Sequence, residues 1–172
     1  SAYAGGNVDL GDGRVLLEPR TLAKMLDVLD VQPNELVLDV GSALGYSAAI
    51  VASLSEAVVA LEEREDLASE SQDLLAEVGA DNVVLHEGAL SEGAGEHGPY
   101  DVILIEGGIE TVPETLLDQL KDGGRIACVM MDRALGTVRV GHKSGGMMTW
   151  RLAFNAGAPV LPGFEKAKAF AL

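Results

Sequence analysis

The sequence is short of cysteine, of aromatic residues and of positive charge. A single cysteine, Cys128, stands in 172 residues, which excludes a disulfide framework and a thiolate metal site. It lies in the apolar run Arg125-Ile126-Ala127-Cys128-Val129-Met130-Met131 and reads as a small buried hydrophobe in a reducing compartment. Only 12 Lys+Arg stand against 27 Asp+Glu, a net charge of -15. A surface of that sign repels a duplex or an anionic leaflet, so neither nucleic acid nor membrane is an expected partner. No apolar stretch approaches the ~20 residues of a membrane span, and no basic segment followed by an apolar one opens the chain. A cytoplasmic enzyme or binding domain is the expectation that survives. The chain opens at Ser1 rather than Met, so anything contributed by upstream residues lies outside this reading.

What is present is an alternation of apolar runs and helical patterns with no internal repeat, which predicts one domain over 1–172. Residues 1–14, rich in Gly and small polar residues, read as irregular. Pro19 suits a first helical turn and precedes Leu22, Met25, Leu26 and Leu29 at helical spacing, so 1–34 is a loop and an amphipathic helix ending before Pro33. Over 35–131, strands are predicted at 35–41, 57–62, 82–86, 100–105 and 125–131. Helices are predicted at 46–54, at 112–120, and around Leu67, Leu74, Leu75 and Val78 with a stop at Gly79. Strands apolar on both faces and separated by helices mean a parallel sheet covered on both sides. The tail, 132–172, alternates more at 135–140 and 147–154, a β-hairpin with Trp150 and Phe154 as packing residues.

In such a sheet, ligands bind outside the carboxyl ends of the strands where the winding reverses. The first strand ends in Asp39-Val40-Gly41-Ser42-Ala43-Leu44-Gly45-Tyr46-Ser47, a glycine turn opening a helix. The second ends in Glu62, 62 − 41 = 21 residues beyond Gly41, the spacing of an acid that accepts from a ribose diol. A dinucleotide fingerprint needs glycine at the third and sixth positions, where Ala43 and Tyr46 stand, and no Lys or Arg neighbours the loop to neutralise a pyrophosphate. A sulfonium cofactor without phosphate suits this acidic surrounding of Asp39, Glu62, Glu63, Glu87 and Glu106, and the pattern favours S-adenosylmethionine over NAD.

The stretches Gly13 to Met25, Leu38 to Tyr46, Val58 to Glu62, Pro99 to Ile105 and Val112 to Arg125 together resemble the protein-L-isoaspartate O-methyltransferase family, in order and at proper spacing from about Gly13 to Met130. The resemblance implies an α/β fold of the class I methyltransferase type: a doubly wound, mostly parallel seven-stranded sheet ending in an antiparallel hairpin. It implies methyl transfer from S-adenosylmethionine to the α-carboxyl of an isoaspartyl residue in a damaged protein. The cofactor contacts expected are Gly41, Ser42 and Gly45 in the turn, Glu62 at the ribose and Glu106 beside the transfer centre, and the family's acid after the third strand is matched by Glu87 at the adenine side. Catalysis of this kind is mainly positioning, because a carboxylate is already a nucleophile.

Departures from the family concentrate on the acceptor side. Its Thr-Ile-Ser segment corresponds to Val15, Leu16 and Leu17, so both hydroxyls are missing, and its Ala and His flanking the proline are Glu18 and Arg20. These two are the substrate-side candidates, Arg20 as a carboxylate clamp or as a solvated helix-start residue. Ala43 replaces the middle glycine, and Glu106-Gly107-Gly108 replaces small neutral residues. Weak activity on isoaspartyl peptides is therefore expected. A small carboxylic acid, another small-molecule acceptor in a greasier pocket, or a degenerate nucleoside-binding module are the alternatives. No metal is expected: His86 reads as a strand-end residue, and His97 and His142 lack a second ligand at metal spacing. Ser47 has no histidine partner and is not expected as a nucleophile. Arg139, Lys143 and Arg151 read as a solvated basic face.

Overall fold

The computed structural model describes residues 2–3 and 6–168. Ten strands and four α-helices follow in the order β1 (Ala2–Tyr3), β2 (Asn7–Gly11), β3 (Arg14–Leu16), α1 (Pro19–Leu29), β4 (Leu36–Val40), α2 (Tyr46–Leu54), β5 (Ala57–Glu62), α3 (Glu65–Glu77), β6 (Val83–Glu87), β7 (Tyr100–Ile109), α4 (Glu114–Asp118), β8 (Leu120–Asp132), β9 (Leu135–Ser144) and β10 (Met147–Asn155). The main sheet has seven strands in the order β10-β9-β8-β7-β4-β5-β6, and β1 to β3 form a separate antiparallel sheet. Strands β6, β5, β4, β7 and β8 run parallel, while β9 and β10 are antiparallel. This is the doubly wound sheet with a terminal hairpin that the alternation of apolar runs predicts.

Strand alternation divides the core between the two faces. Val102 and Leu104 of β7 point to one face, where Met25 and Leu29 of α1, Val51 of α2 and Leu75 of α3 cover them. Ile103 and Ile105 point to the other, under Leu90, Leu116 and Phe164. Cys128 is fully buried, and that apolar setting pushes its thiol up to about 12. Helix α1 starts at Pro19 and ends where Asp30, at φ 48°, turns its N–H back to the carbonyls of Leu26 and Asp27. Beside it, Arg125 forms a bidentate ion pair with Glu35 at 2.7 Å through each nitrogen, fixing β8 to the approach of β4.

The structure corrects several expectations. Residues 7–11 and 14–16 are strands rather than irregular chain, joined by Asp12-Gly13, a pair suited to positive φ (53° and 75°) and hence to a hairpin. Helix α4 covers only Glu114–Asp118, and Val78 is 56% exposed rather than inward. Strand β7 runs past its predicted end, pairing with β8 again at Gly108 and Ile109 after an irregularity that begins at Leu104, and β8 starts early, with Leu120 opposite Tyr100. The final hairpin is also longer, with only Gly145 and Gly146 in the turn, both at positive φ and both donating to the Asp122 carboxylate at 3.0 Å.

Gly107 and Gly108 let the segment after β10 pass across the end of β7. The Gly108 N–H donates to the Pro159 carbonyl, and its own carbonyl accepts from Leu161, both at 2.8 Å. A Cβ on Gly108 would stand 2.4 Å from the Ala158 carbonyl oxygen, which is backbone and cannot swing aside. Gly108→Ala is expected to destabilise the fold by about 1–3 kcal/mol, read as a lowered urea midpoint. An unchanged midpoint would show that the crossing segment is loosely held.

Candidate active site

The winding reverses on either side of β4: the chain steps from β4 to β5 and β6 in one direction, and returns to the other side with β7 and β8. The crevice outside the carboxyl end of β4 is therefore the position for a ligand. The loop there turns through three left-handed residues, Gly41 (φ 80°), Ala43 (φ 53°) and Gly45 (φ 92°), before α2 begins. Ala43 holds with a methyl group a conformation that costs a non-glycine residue about 1 kcal/mol, and its N–H, 2.8 Å from Glu62 Oε1, is what the turn delivers.

Glu62 ends β5 beside that loop and is 1% exposed. Its carboxylate accepts from the backbone N–H of Ala43 (2.8 Å), Glu63 (2.7 Å) and Arg64 (2.9 Å). The two Arg14 Nη atoms complete the shell at 2.8 and 2.6 Å. Burial alone pushes this carboxyl up, but the Arg14 guanidinium and the backbone donors outweigh it and hold Glu62 below the usual carboxylate range. Arg14 is itself 1% exposed. Sequence reading placed no cation beside this loop. The fold supplies one from β3, with Arg14 Nη2 lying 3.3 Å from where a Gly41 Cβ would be. The signal was an arginine opening an apolar strand directly after a hairpin turn: once buried, it requires an acid.

A second cluster lies toward β7. Asp39, Ser47 and Glu106 are all buried, and Ser47 Oγ lies 2.8 Å from Asp39 Oδ2 and 2.5 Å from Glu106 Oε2. A hydroxyl has one proton, so it donates to one acid and accepts from the other. Burial and then the neighbouring Asp39 charge push Glu106 well above the usual carboxyl range, and burial also raises Asp39. Glu106 and Asp39 also share a direct side-chain hydrogen bond, so a proton kept on Glu106 serves both acids. Ser47 and Glu106 of this cluster form the polar floor of a cavity of about 530 Å³ between α1 and α2, walled by Leu16, Leu17, Leu22, Leu26, Tyr46 and Ile50.

The other sequence candidates fall unevenly around this centre. Ser42 is buried with no partner for its Oγ, and Asp39 Oδ1 and Arg14 Nε are likewise unpartnered among the described residues. Glu87 is exposed at the end of β6, in register with Glu62. Glu18 caps α1 with its backbone N–H on Asn7 Oδ1, and Arg20 is exposed on the first helical turn; neither lines the cavity. Val15 packs in the core, so only Leu16 and Leu17 of that segment face the cavity. Sequence reading missed Ser47 and Asp39 as partners of Glu106, since residues 39, 47 and 106 meet only through the sheet.

Because Glu106 keeps a proton in the fold that it loses in the unfolded chain, folding takes up a proton above the ordinary carboxyl range. The contribution is full at low pH and is lost as pH rises toward the raised value, at up to about 1.4 kcal/mol per pH unit. Glu106→Gln, which stays neutral, is expected to flatten the fall of unfolding free energy as pH rises above the ordinary carboxyl range. Equal slopes for the two chains would refute proton sharing.

Residues 1–150 match the family model for protein-L-isoaspartate(D-aspartate) O-methyltransferase. Among curated relatives, the chain is 33% identical over 132 residues to a protein-L-isoaspartate O-methyltransferase of Pelotomaculum thermopropionicum, covering 77% of this chain and 58% of that one. It is 38% identical over 125 residues to one of a Synechococcus species, covering 73% and 51%. With one from Trichlorobacter lovleyi the identity is 34% over 149 residues, covering 86% and 69%. The chain thus spans little more than half the length of the first two. Among solved structures, a protein-L-isoaspartate O-methyltransferase superposes with a TM-score of 0.82 at 23% identity, covering 90% of this chain and 51% of that one. A Plasmodium falciparum homologue titled as a complex with S-adenosyl-L-homocysteine gives 0.77 at 21%, covering 90% and 79%. The chain belongs to the protein-L-isoaspartate(D-aspartate) O-methyltransferase family.

Proposed function

We propose that this chain binds S-adenosylmethionine in the crevice above β4 and transfers its methyl group to a carboxylate, the isoaspartyl residue of a damaged protein being the acceptor its family indicates. The observation that carries the reading is Glu62, held by three backbone N–H groups at the end of β5 beside the left-handed turn at Gly41, Ala43 and Gly45. Arg14 presents to this carboxylate two converging N–H donors, the same pattern that a vicinal diol presents as two O–H groups. The backbone donors fix the acid whichever partner it has, and a ribose takes the place of the guanidinium. The unpartnered Asp39 Oδ1 and Ser42 Oγ suit the polar end of such a cofactor.

When bound, S-adenosylmethionine supplies an electrophilic methyl on a sulfonium. The protein's own part is to position the acceptor and exclude water. The Leu16, Leu17, Leu22 and Ile50 walls keep the cavity apolar, which strengthens charge interactions within it. Protonated Glu106 removes the repulsion that an ionised acid would exert on an incoming carboxylate. The family's two acceptor-side hydroxyls have no replacement in the Val15-Leu16-Leu17 segment, because Val15 is buried in the core and Leu17 offers only methyl groups.

Calorimetric titration with S-adenosylhomocysteine is expected to show saturable binding that Glu62→Gln abolishes. Arg14→Met is expected to tighten it by about tenfold or more, the equivalent of 1.4 kcal/mol, while lowering stability because Glu62 is left a buried unpaired charge. No binding to any of the three chains would overturn the cofactor assignment. In a methyl-transfer assay on an isoaspartyl peptide, turnover is expected to lie about tenfold or more below that of a relative with both hydroxyls, given ~1.5–3 kcal/mol per hydrogen bond to a charged group. Equal turnover would show that another group holds the carboxylate.

A further inference from the structure

Away from the crevice, at the outer end of the sheet, two of the chain's three histidines meet around one carboxylate. His86, in β6, places Nδ1 3.1 Å from Glu96 Oε1, and His97 places Nε2 3.5 Å from the same oxygen. The imidazole centroids are 5.5 Å apart with planes at 85°. All three ligand atoms lie within 4.8 Å of one another. Sequence spacing hid this group, since ten residues separate His86 from Glu96, and His97 read as lacking a partner.

The geometry points to a divalent metal site of the zinc type, with His86 Nδ1, His97 Nε2 and Glu96 Oε1 as its three protein ligands. In a tetrahedral complex with bonds of about 2.0–2.1 Å, neighbouring ligand atoms stand roughly 3.3–3.4 Å apart. The two edges through Glu96 Oε1, 3.1 and 3.5 Å, straddle that value. A single histidine would suffice to hydrogen-bond a surface glutamate; two rings, set edge to face and converging on one oxygen, make a concave donor set of mixed N and O type suited to borderline ions. Among the described residues no Lys or Arg forms an ion pair with Glu96. The net charge of -15 favours a cation at this surface.

The supporting shell is rigid although the ligands reach solvent. Glu96 and His97 sit on a short 3₁₀ turn, Gly95–His97, in which the His97 N–H donates to the Ala94 carbonyl at 3.2 Å. That same carbonyl accepts from the buried Tyr100 hydroxyl at 2.5 Å. Gln119 accepts from the Ala94 N–H and donates to the Glu92 carbonyl. His86 comes from the parallel sheet, paired with Leu61. Two ligands from one pinned turn and one from a strand end give a site whose spacing is set before any ion arrives. Glu96, 67% exposed, leaves the fourth position to water. An ion there ties the loop after β6 to the strand end next to Glu87 and Gly88.

The test uses the whole chain, stripped with chelator and then titrated with Zn2+ by calorimetry and with Co2+ by visible absorption. One equivalent of each metal should bind, Co2+ with the intense bands of tetrahedral coordination, and Zn2+ should raise the unfolding temperature. His86→Ala and His97→Ala should each weaken Zn2+ by more than the roughly 10–100-fold that loss of an outer-shell partner costs. Glu96→Gln should weaken it as well, and circular dichroism should show all three variants folded, since their side chains are partly exposed. His142→Ala, at the remaining histidine, should change nothing. Absence of saturable binding, binding that survives both His86→Ala and His97→Ala, or a weak octahedral Co2+ spectrum would each overturn the site.

Discussion

A guanidinium laid across a carboxylate inside the protein organises everything around the crevice. Arg14 enters from β3 and Glu62 from β5, 48 residues later, and neither tolerates burial without the other. As a pair they add little net stability, because the desolvation of two ions cancels most of their attraction; what they set is position. The three-stranded N-terminal sheet is held over the glycine loop by this contact, and the loop in turn adopts a left-handed Ala43 so that its N–H reaches the same carboxylate. Hairpin, loop and strand end thus share one constraint, and a ligand that competes for Glu62 acts on all three.

Forty-four residues after Glu62 the same physics gives the opposite result. Glu106 is as deeply placed, but its partner through Ser47 is another acid, and burial without a cation keeps a proton on the pair. One crevice therefore holds two buried glutamates whose carboxyls are pushed in opposite directions, Glu62 downward and Glu106 upward. The difference lies in what faces each: five N–H donors for Glu62, a hydroxyl and a carboxylate for Glu106. In the proposed methyl transfer from a sulfonium to a carboxylate, this division sets one acid where a diol is held and the other beside the apolar cavity.

The fold was legible because it rests on local patterns. Strands apolar on both faces, a helix beginning at Pro19 and a glycine turn after Asp39 are properties of short windows, and the family motifs lie in those windows. Less legible were features whose cause is distant. The hairpin of β2 and β3 looked irregular because its short strands owe their order to Arg14 reaching Glu62. Strand β7 outran its apolar run because Gly107 and Gly108 admit backbone from residues 158–161. Sequence spacing marked Glu62 and Glu106 as acids of the site, yet their charge states follow from Arg14, Asp39 and Ser47, which only the sheet brings near. Val78, read as inward from its spacing, is exposed because the helix ends one residue before it.

The acceptor side shows how a family site changes its chemistry without changing its frame. The Val15-Leu16-Leu17 segment carries no hydroxyl, and Leu16 and Leu17 extend the apolar wall that α1 and α2 already form. An unassisted carboxylate would be poorly solvated in such a cavity. Glu106, the one acid among the described lining residues, stands on the floor of that same cavity with its carboxyl pushed upward by burial. Under the proposed function, what the pocket accepts is tied to the charge state of its own floor, where burial and Asp39 push the Glu106 carboxyl upward.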